Sequence, residues 1–180
     1  MRTAQATLLL LSASLLVGCN TRPRAPALRD DPVYQNDREG FRFLAPEGWT
    51  QAARTEVPPG KVKAETPLVD YRRTKGEGRA ALRVSLADLP DSTDLEKYLA
   101  GPSYGADKWA PAGPAEEVAA GSASGTRYAF SGRVGKEEVA KEVVAVRRGG
   151  RVYFFTALYA PKDVEVRDQL RRVVSSVVWK

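Results

Sequence analysis

Residues that commonly carry out catalysis or bind metals are scarce in this chain. Its 180 residues include no histidine, which removes the usual general base near neutral pH and the commonest metal ligand. They include one cysteine, Cys19, so neither an internal disulfide bond nor a multi-cysteine metal cluster can form. We therefore expect no metal site, no cofactor and no histidine-dependent catalytic residue.

The serines and the paired acids also lack catalytic spacing. No Ser-x-x-Lys motif supports the candidate nucleophiles, which are Ser103, Ser122, Ser124 and Ser131. The adjacent acids Asp30-Asp31 and Glu116-Glu117 should point in different directions, whereas a glycosidase opposes two carboxyl groups across a bond. The sequence therefore predicts that the protein is not an enzyme. A hydrolase without histidine, using a Ser-Lys pair that only folding brings together, is the least favoured alternative.

The single cysteine ends an apolar segment at the N-terminus. Arg2 followed by a leucine-rich stretch too short to span a bilayer comfortably is the layout of a secretory signal. The stretch ends in Leu16-Val17-Gly18-Cys19, which resembles the bacterial lipobox. The resemblance implies a diacylglyceryl group on the Cys19 sulfur, cleavage after Gly18 and often an acyl chain such as palmitate on the new N-terminus. An ordinary signal peptide or an uncleaved anchor is the alternative.

The residues after Cys19 bear on location. The lipobox resemblance implies a location in the cell envelope. In Gram-negative lipoproteins an aspartate directly after the cysteine often causes retention in the inner membrane, and here that position is Asn20. The missing aspartate favours, in such cells, the outer membrane facing the periplasm. Residues 19–33 are rich in proline and charge, which predicts a flexible tether. Its arginines could contact anionic headgroups or cell-wall polymer, or could simply be solvated.

Aromatic and basic residues supply the candidates for binding. Tyr104 and Trp109 lie in a loop predicted over residues 101–114, and aromatic side chains favour interfaces. Arg72 and Arg83 belong to a basic excess, a net charge of +6, that attracts anionic surfaces. Dispersed charges also merely keep domains soluble, and nucleic acid is not an expected partner outside the cytoplasm. These residues predict either docking to a protein or binding of a small ligand or anionic polymer.

Hydrophobic periodicity places these candidates on an α+β framework with an antiparallel sheet. Alternating apolar residues predict strands at 40–44, 68–74, 79–86, 116–120, 126–133, 138–147 and 151–159. The last of these is apolar on both faces, which is typical of a central strand. A short helix is predicted after a capping box of Thr93 and Glu96. A closing helix is predicted with Pro161 in its first turn and an apolar stripe from Val166 to Val177.

Two motifs at the ends of this framework resemble PsbP-like domains. The segment from Gly40 to Trp49, GFRFLAPEGW, combines a strand with a Pro-x-Gly-Trp turn, in which Trp49 is expected to be a core residue. The segments Tyr153-Phe154-Phe155 and Ser175-Ser176-Val177 resemble the closing strand and the end of the closing helix. The resemblance implies a PsbP-like α/β/α sandwich whose members act mainly by docking to partners. It transfers no binding residue, because the shared motifs build the fold.

We therefore expect three parts: a signal peptide at 1–18, the lipidated cysteine and tether at 19–33, and a PsbP-like domain at 34–180. The expected function is that of a lipid-anchored, non-catalytic protein of the cell envelope that docks to a protein partner.

Overall fold

A computed structural model describes residues 32–57, 60–62, 64–73 and 80–180. The predicted signal peptide, the lipobox with Cys19 and the tether up to Asp31 lie outside the described residues. The first strand begins at Val33, the last residue assigned to the predicted tether.

The described residues form two sheets and two helices. The strands are β1 (Val33–Asn36), β2 (Phe41–Leu44), β3 (Trp49–Arg54), β4 (Thr66–Arg73), β5 (Ala81–Ala87), β6 (Ala110–Pro111), β7 (Glu116–Ala120), β8 (Ala123–Val134), β9 (Glu137–Arg148), β10 (Arg151–Tyr159) and β11 (Val178–Trp179). The helices are α1 (Leu95–Leu99) and α2 (Val164–Ser175).

The main sheet is antiparallel and is organised around β10. Its strand order is β3-β4-β5-β10-β9-β8-β6, with β7 also paired to β8. Val152 and Phe154 are buried against one face of this sheet, and Tyr153 and Phe155 are buried against the other. The prediction of a central strand covered on both sides is confirmed.

One face of the main sheet is covered by α2 and by a small antiparallel sheet of order β1-β2-β11. The helix buries Val166, Leu170, Val173 and Val174, as its periodicity predicts. It begins at Val164, after the N-cap Asp163, so the prediction that Pro161 occupies its first turn is wrong. The Asp163 carboxylate accepts a hydrogen bond from the Val166 amide at 3.3 Å, which satisfies an otherwise unpaired helix donor and sets the start there.

The opposite face is covered by α1 and by the loop that follows it. Leu95 and Leu99 pack into a core with Phe130, Val143 and Phe154. The N-cap of α1 is Asp94, whose carboxylate accepts a hydrogen bond from the Lys97 amide at 3.1 Å. The predicted capping box at Thr93 is therefore one residue out of register. With helices on both faces, the structure confirms the predicted α+β sandwich.

Candidate binding cleft

Three of the four candidate binding residues line one cleft on the α1 face of the main sheet. The cleft has a volume of about 200 Å³, and its lining residues are Asp70, Tyr71, Arg72, Ala81, Arg83, Tyr104, Thr156 and Leu158. They come from β4, β5 and β10 and from the loop after α1. The fourth candidate, Trp109, does not reach the cleft.

Strand register sets the floor of the cleft. Arg83 pairs across the sheet with Asp70 on one side and Thr156 on the other, while Arg72 pairs with Ala81. Residues directly opposite one another in neighbouring strands point to the same face, so Asp70, Arg83 and Thr156 form one polar row, with Arg72 two positions further along β4 on that face. The pairing of the strands thus brings together residues that are distant in sequence, such as Asp70 and Arg83, which are 13 positions apart.

Arg83 is held by two hydrogen bonds to Asp70. The distances are 2.6 Å from Nε to Oδ1 and 2.8 Å from Nη2 to Oδ2. These hydrogen bonds raise the pKa of Arg83 further above its usual range. Its guanidinium carbon lies 5.3 Å from the centre of the Tyr104 ring, within cation–π distance. Arg83 is therefore a permanent cation whose plane is fixed by its neighbours.

Tyr104 reaches the cleft from a strained turn. Its φ is +55°, the only positive value of a non-glycine residue in the described part of the chain, and Gly105 follows at +84°. Ser103 and Ala106 close the turn by exchanging backbone hydrogen bonds of 3.1 and 3.0 Å. A bulky residue with positive φ is unfavourable, and such strain clusters at functional sites. Burial raises the pKa of Tyr104, so its hydroxyl remains a hydrogen-bond donor near neutral pH.

Arg72 gives the cleft its unbalanced charge. It is exposed, and no carboxylate of the described residues forms an ion pair with it. Asp70 compensates Arg83, and Glu65 accepts hydrogen bonds from the Tyr104 hydroxyl at 3.4 Å and from the Ser85 hydroxyl at 2.7 Å, so Arg72 is the cation of the cleft that has no carboxylate partner among the described residues. Arg72, in the same cleft as Thr156, gives this site a cation that can attract a small anionic group.

Trp109, predicted as a contact residue, belongs to the core instead. It is 2% exposed, and its indole Nε1 donates a hydrogen bond of 2.9 Å to the Ser103 hydroxyl. Its ring lies against Gly132, where an added Cβ would come within 2.7 Å of the indole. Trp109 therefore anchors the loop that carries Tyr104, because a backbone hydrogen bond to Ala100 and the bond to Ser103 hold both ends of that loop.

Lys141, which the sequence analysis did not single out, is buried behind the cleft. It is 2% exposed, its ammonium donates to the Leu99 carbonyl, and Nζ lies 4.6 Å from the Trp109 ring and 4.9 Å from the Phe130 ring. Burial lowers the pKa of Lys141 to about 8. Lys141 shares the parity of Val143 and Ala145 in β9, but residues of both parities are buried there, so the strand pattern does not mark this lysine.

The Ser-Lys pair kept as an alternative exists geometrically. The Ser103 Oγ lies 3.4 Å from the Lys141 Nζ. Neither residue lines the cleft, the lysine is shielded by aromatic rings, and the serine hydroxyl already accepts the Trp109 indole. The pair thus joins the loop after α1 to β9.

Glu116 pairs with Arg127, and Glu117 accepts a hydrogen bond of 2.7 Å from Ser124, so the two adjacent acids have different partners.

Within the described ranges no three acidic or cysteine side chains cluster as metal ligands would. No helix in that part of the chain is long and apolar enough to cross a membrane.

Solved structures with this arrangement identify the fold. The solution structure of cyanobacterial PsbP (CyanoP) from Synechocystis matches with a TM-score of 0.55 at 16% identity, over 87% of this chain and 97% of that one. The protein has a PsbP-like fold. The crystal structure of LpqN from Mycobacterium tuberculosis matches with a TM-score of 0.52 at 14% identity, over 82% of this chain and 88% of that one. The sequence matches no protein-family model and no curated protein.

The two motifs that suggested the PsbP-like fold meet in the structure. The Ser176 hydroxyl, at the end of α2, accepts a hydrogen bond of 2.9 Å from the Leu44 amide at the end of β2. It also donates to the Val173 carbonyl at 2.8 Å, which caps the helix. Trp49 follows the turn after β2 and is only half-buried, packed against the margin of the core, so it is less buried than the predicted core residue.

Proposed function

We propose that the protein is a lipid-anchored, non-catalytic component of the cell envelope that acts by docking to a protein partner. The observation that carries this proposal is the lipobox, Leu16 to Cys19, placed just before a domain with a PsbP-like fold. LpqN, which shares the fold, is involved in cell envelope biogenesis in Mycobacterium tuberculosis. That role supports an envelope location here.

The polar groups that could take part in catalysis have structural partners. The sequence has no histidine, and in the Ser103–Lys141 pair the lysine is buried at 2% exposure while the serine hydroxyl accepts the Trp109 indole. Glu39, a buried acid that borders a second cleft, is neutralised by Arg151 at 2.7 Å and accepts a hydrogen bond from Tyr153 at 3.0 Å. In the described residues these groups are engaged in structural contacts.

Two measurements test the proposal. Mass spectrometry of the mature protein from the membrane fraction should find the N-terminus at Cys19 with a diacylglyceryl mass added. Crosslinking in native cells, followed by mass spectrometry of the linked peptides, should then recover one partner reproducibly. An unmodified thiol at Cys19 would contradict the anchor, and the absence of any specific crosslinked species would contradict docking.

The cleft favours a second candidate, binding of a small anionic ligand. Its support is that Arg72, Arg83 and Tyr104 line one cleft, where Arg72 has no carboxylate partner among the described residues. Arg72→Gln should weaken the binding of inorganic phosphate or succinate, measured by NMR titration of the chain, by about tenfold or more, since a charged hydrogen bond contributes roughly 1.5–3 kcal/mol. Arg171→Gln is the control, because Arg171 is exposed on α2 at the other face of the main sheet. Equal binding by both variants would exclude the cleft.

A further inference from the structure

Exposed apolar side chains gather on one face of the small sheet. Val33, Leu44 and Val178 are 54%, 43% and 47% exposed, and all three belong to its strands β1, β2 and β11. The other large exposed apolar side chains in the described residues, Tyr98 and Val164, lie apart on the two helices. Contiguous exposed apolar surface on a small domain commonly marks an interaction site.

Strand register shows that these residues share the outward face. Val33 pairs with Leu44, and Arg42 pairs with Val178 on one side and Gln35 on the other. The alternate positions point inward, where Tyr34, Phe41 and Phe43 are at most 2% exposed. We define the outer face of the small sheet by its five outward residues, Val33, Gln35, Arg42, Leu44 and Val178.

The charge on this face favours an anionic partner. None of its five residues is acidic, and Arg42 stands between the apolar side chains. Arg42 is exposed and forms no ion pair with a carboxylate of the described residues. An arginine among exposed aliphatic side chains suits the interface of a lipid bilayer, where the apolar atoms enter and the guanidinium remains at the headgroups.

The predicted tether joins the domain at this face, because its last residue, Val33, is the first residue of β1. The first strand begins at Val33, and Cys19 lies 14 positions earlier in the sequence. In a polyproline II conformation a proline-rich segment of that length spans about 40 Å, at roughly 3.1 Å per residue. The same segment contributes Arg22, Arg24 and Arg29, which anionic headgroups attract.

We infer that the outer face of the small sheet lies against the anionic headgroups of the membrane that holds Cys19. This inference rests on the lipid anchor of the proposed function and adds an orientation to it. In that orientation the Tyr104 cleft and α1, on the opposite face of the main sheet, point away from the bilayer and toward any partner.

The chain offers a clean way to test this orientation. Cys19 is its only cysteine, and acylation consumes that thiol, so Leu44→Cys in the lipidated protein creates a single site for a fluorescent label. The matched control is Tyr98→Cys on α1, which is 37% exposed on the opposite side of the main sheet. Both proteins are reconstituted into phosphatidylcholine vesicles containing phosphatidylglycerol, with and without brominated lipid as quencher.

We expect brominated lipid to quench the label at position 44 several-fold more than the label at position 98. The difference should shrink in an added Arg42→Gln variant and in vesicles of phosphatidylcholine alone. Val178→Cys provides a second site on the face if Leu44→Cys alters the melting temperature.

The outcomes separate the orientation from the anchor. Equal quenching at both positions, with both proteins floating with the vesicles, overturns the inference and leaves the anchor standing. Proteins that do not float overturn the anchor. Crosslinking between copies through position 44, without quenching, assigns the face to a second copy of the chain and also overturns the inference.

Discussion

The ammonium of Lys141 is closed off from water by a helix and loop that lie some 40 residues earlier in the chain. The Leu99 carbonyl that accepts its hydrogen bond is 42 positions away, and the Trp109 ring that covers it belongs to the same loop. Burial penalises the charged form of a lysine, and here it lowers the pKa from 10.5 to about 8.

A pH dependence of stability follows from that shift. Between about pH 8 and pH 10.5 the folded state holds fewer protons on Lys141 than the unfolded state, so the free energy of unfolding should rise with pH. Urea unfolding at several pH values should show the wild type gaining up to about 1.4 kcal/mol per pH unit relative to Lys141→Met. The exposed Lys136→Met serves as the control. A constant difference between wild type and Lys141→Met across this range would show that the lysine is not desolvated.

Gly132 determines whether Trp109 can anchor its loop. A Cβ at Gly132 would lie 2.7 Å from the indole Cε3, and the buried ring has little room to move. Gly132→Ala should therefore destabilise the domain by about 1–3 kcal/mol through overpacking. Gly113→Ala is the matched control, since nothing lies within 4 Å of the added atom. Similar unfolding midpoints in urea for the two variants would contradict the contact.

At the scale of single residues, the sequence predicted part of the site. Arg72, Arg83 and Tyr104 were candidates because of their chemistry, and strand register then brought them together. The glycine and proline residues around Trp109 predict a loop, and hence a contact residue. They carry no information about which part of the core the loop covers. Lys141 was missed for the same reason, because its burial depends on that distant cover.

The start of α2 depends on one carboxylate with two roles. Asp163 accepts the Val166 amide at the N-cap and pairs with Arg73, whose side chain is only 11% exposed. Asp163→Ala should cost about 2–3 kcal/mol, because it removes a cap and weakens the compensation of a buried cation. Asp163→Asn keeps the capping oxygen and should cost less. Asp168→Ala, at an exposed position of the same helix, should change the midpoint of urea unfolding little, and an equal loss in all three would contradict this assignment.

Elements with a strong local period were predictable, and those made by distant pairing were not. The stripe of α2 and the two-sided apolar pattern of β10 are visible within a dozen residues, and both elements are confirmed. The strand β11 has two residues and exists because Val178 and Trp179 pair with Arg42 and Phe41, at the other end of the domain. No short-range pattern marks such a strand, so the small sheet was not predicted as a separate layer.

At the scale of the whole molecule, anchoring and folding should be separable. Both cores are built from residues between Tyr34 and Val177, and none lies near the predicted acylation site in sequence. The proposed anchor, in contrast, depends on Cys19 alone, since each methylene of its acyl chains contributes about 0.8 kcal/mol of membrane affinity. The change of one sulfur atom to oxygen should therefore alter location without altering the fold.

Cys19→Ser tests this separation directly. Cell fractionation should move the protein from the detergent-soluble membrane fraction to the soluble fraction or to unprocessed precursor, because serine offers no thiol for acylation. The melting temperature of the released chain should match that of the lipidated protein in detergent, since the core residues are unchanged. Asn20→Ser, one position further on, is the control and should remain at the membrane. A Cys19→Ser protein that is processed and still sediments with membranes in high salt would show that something other than acyl chains holds it there.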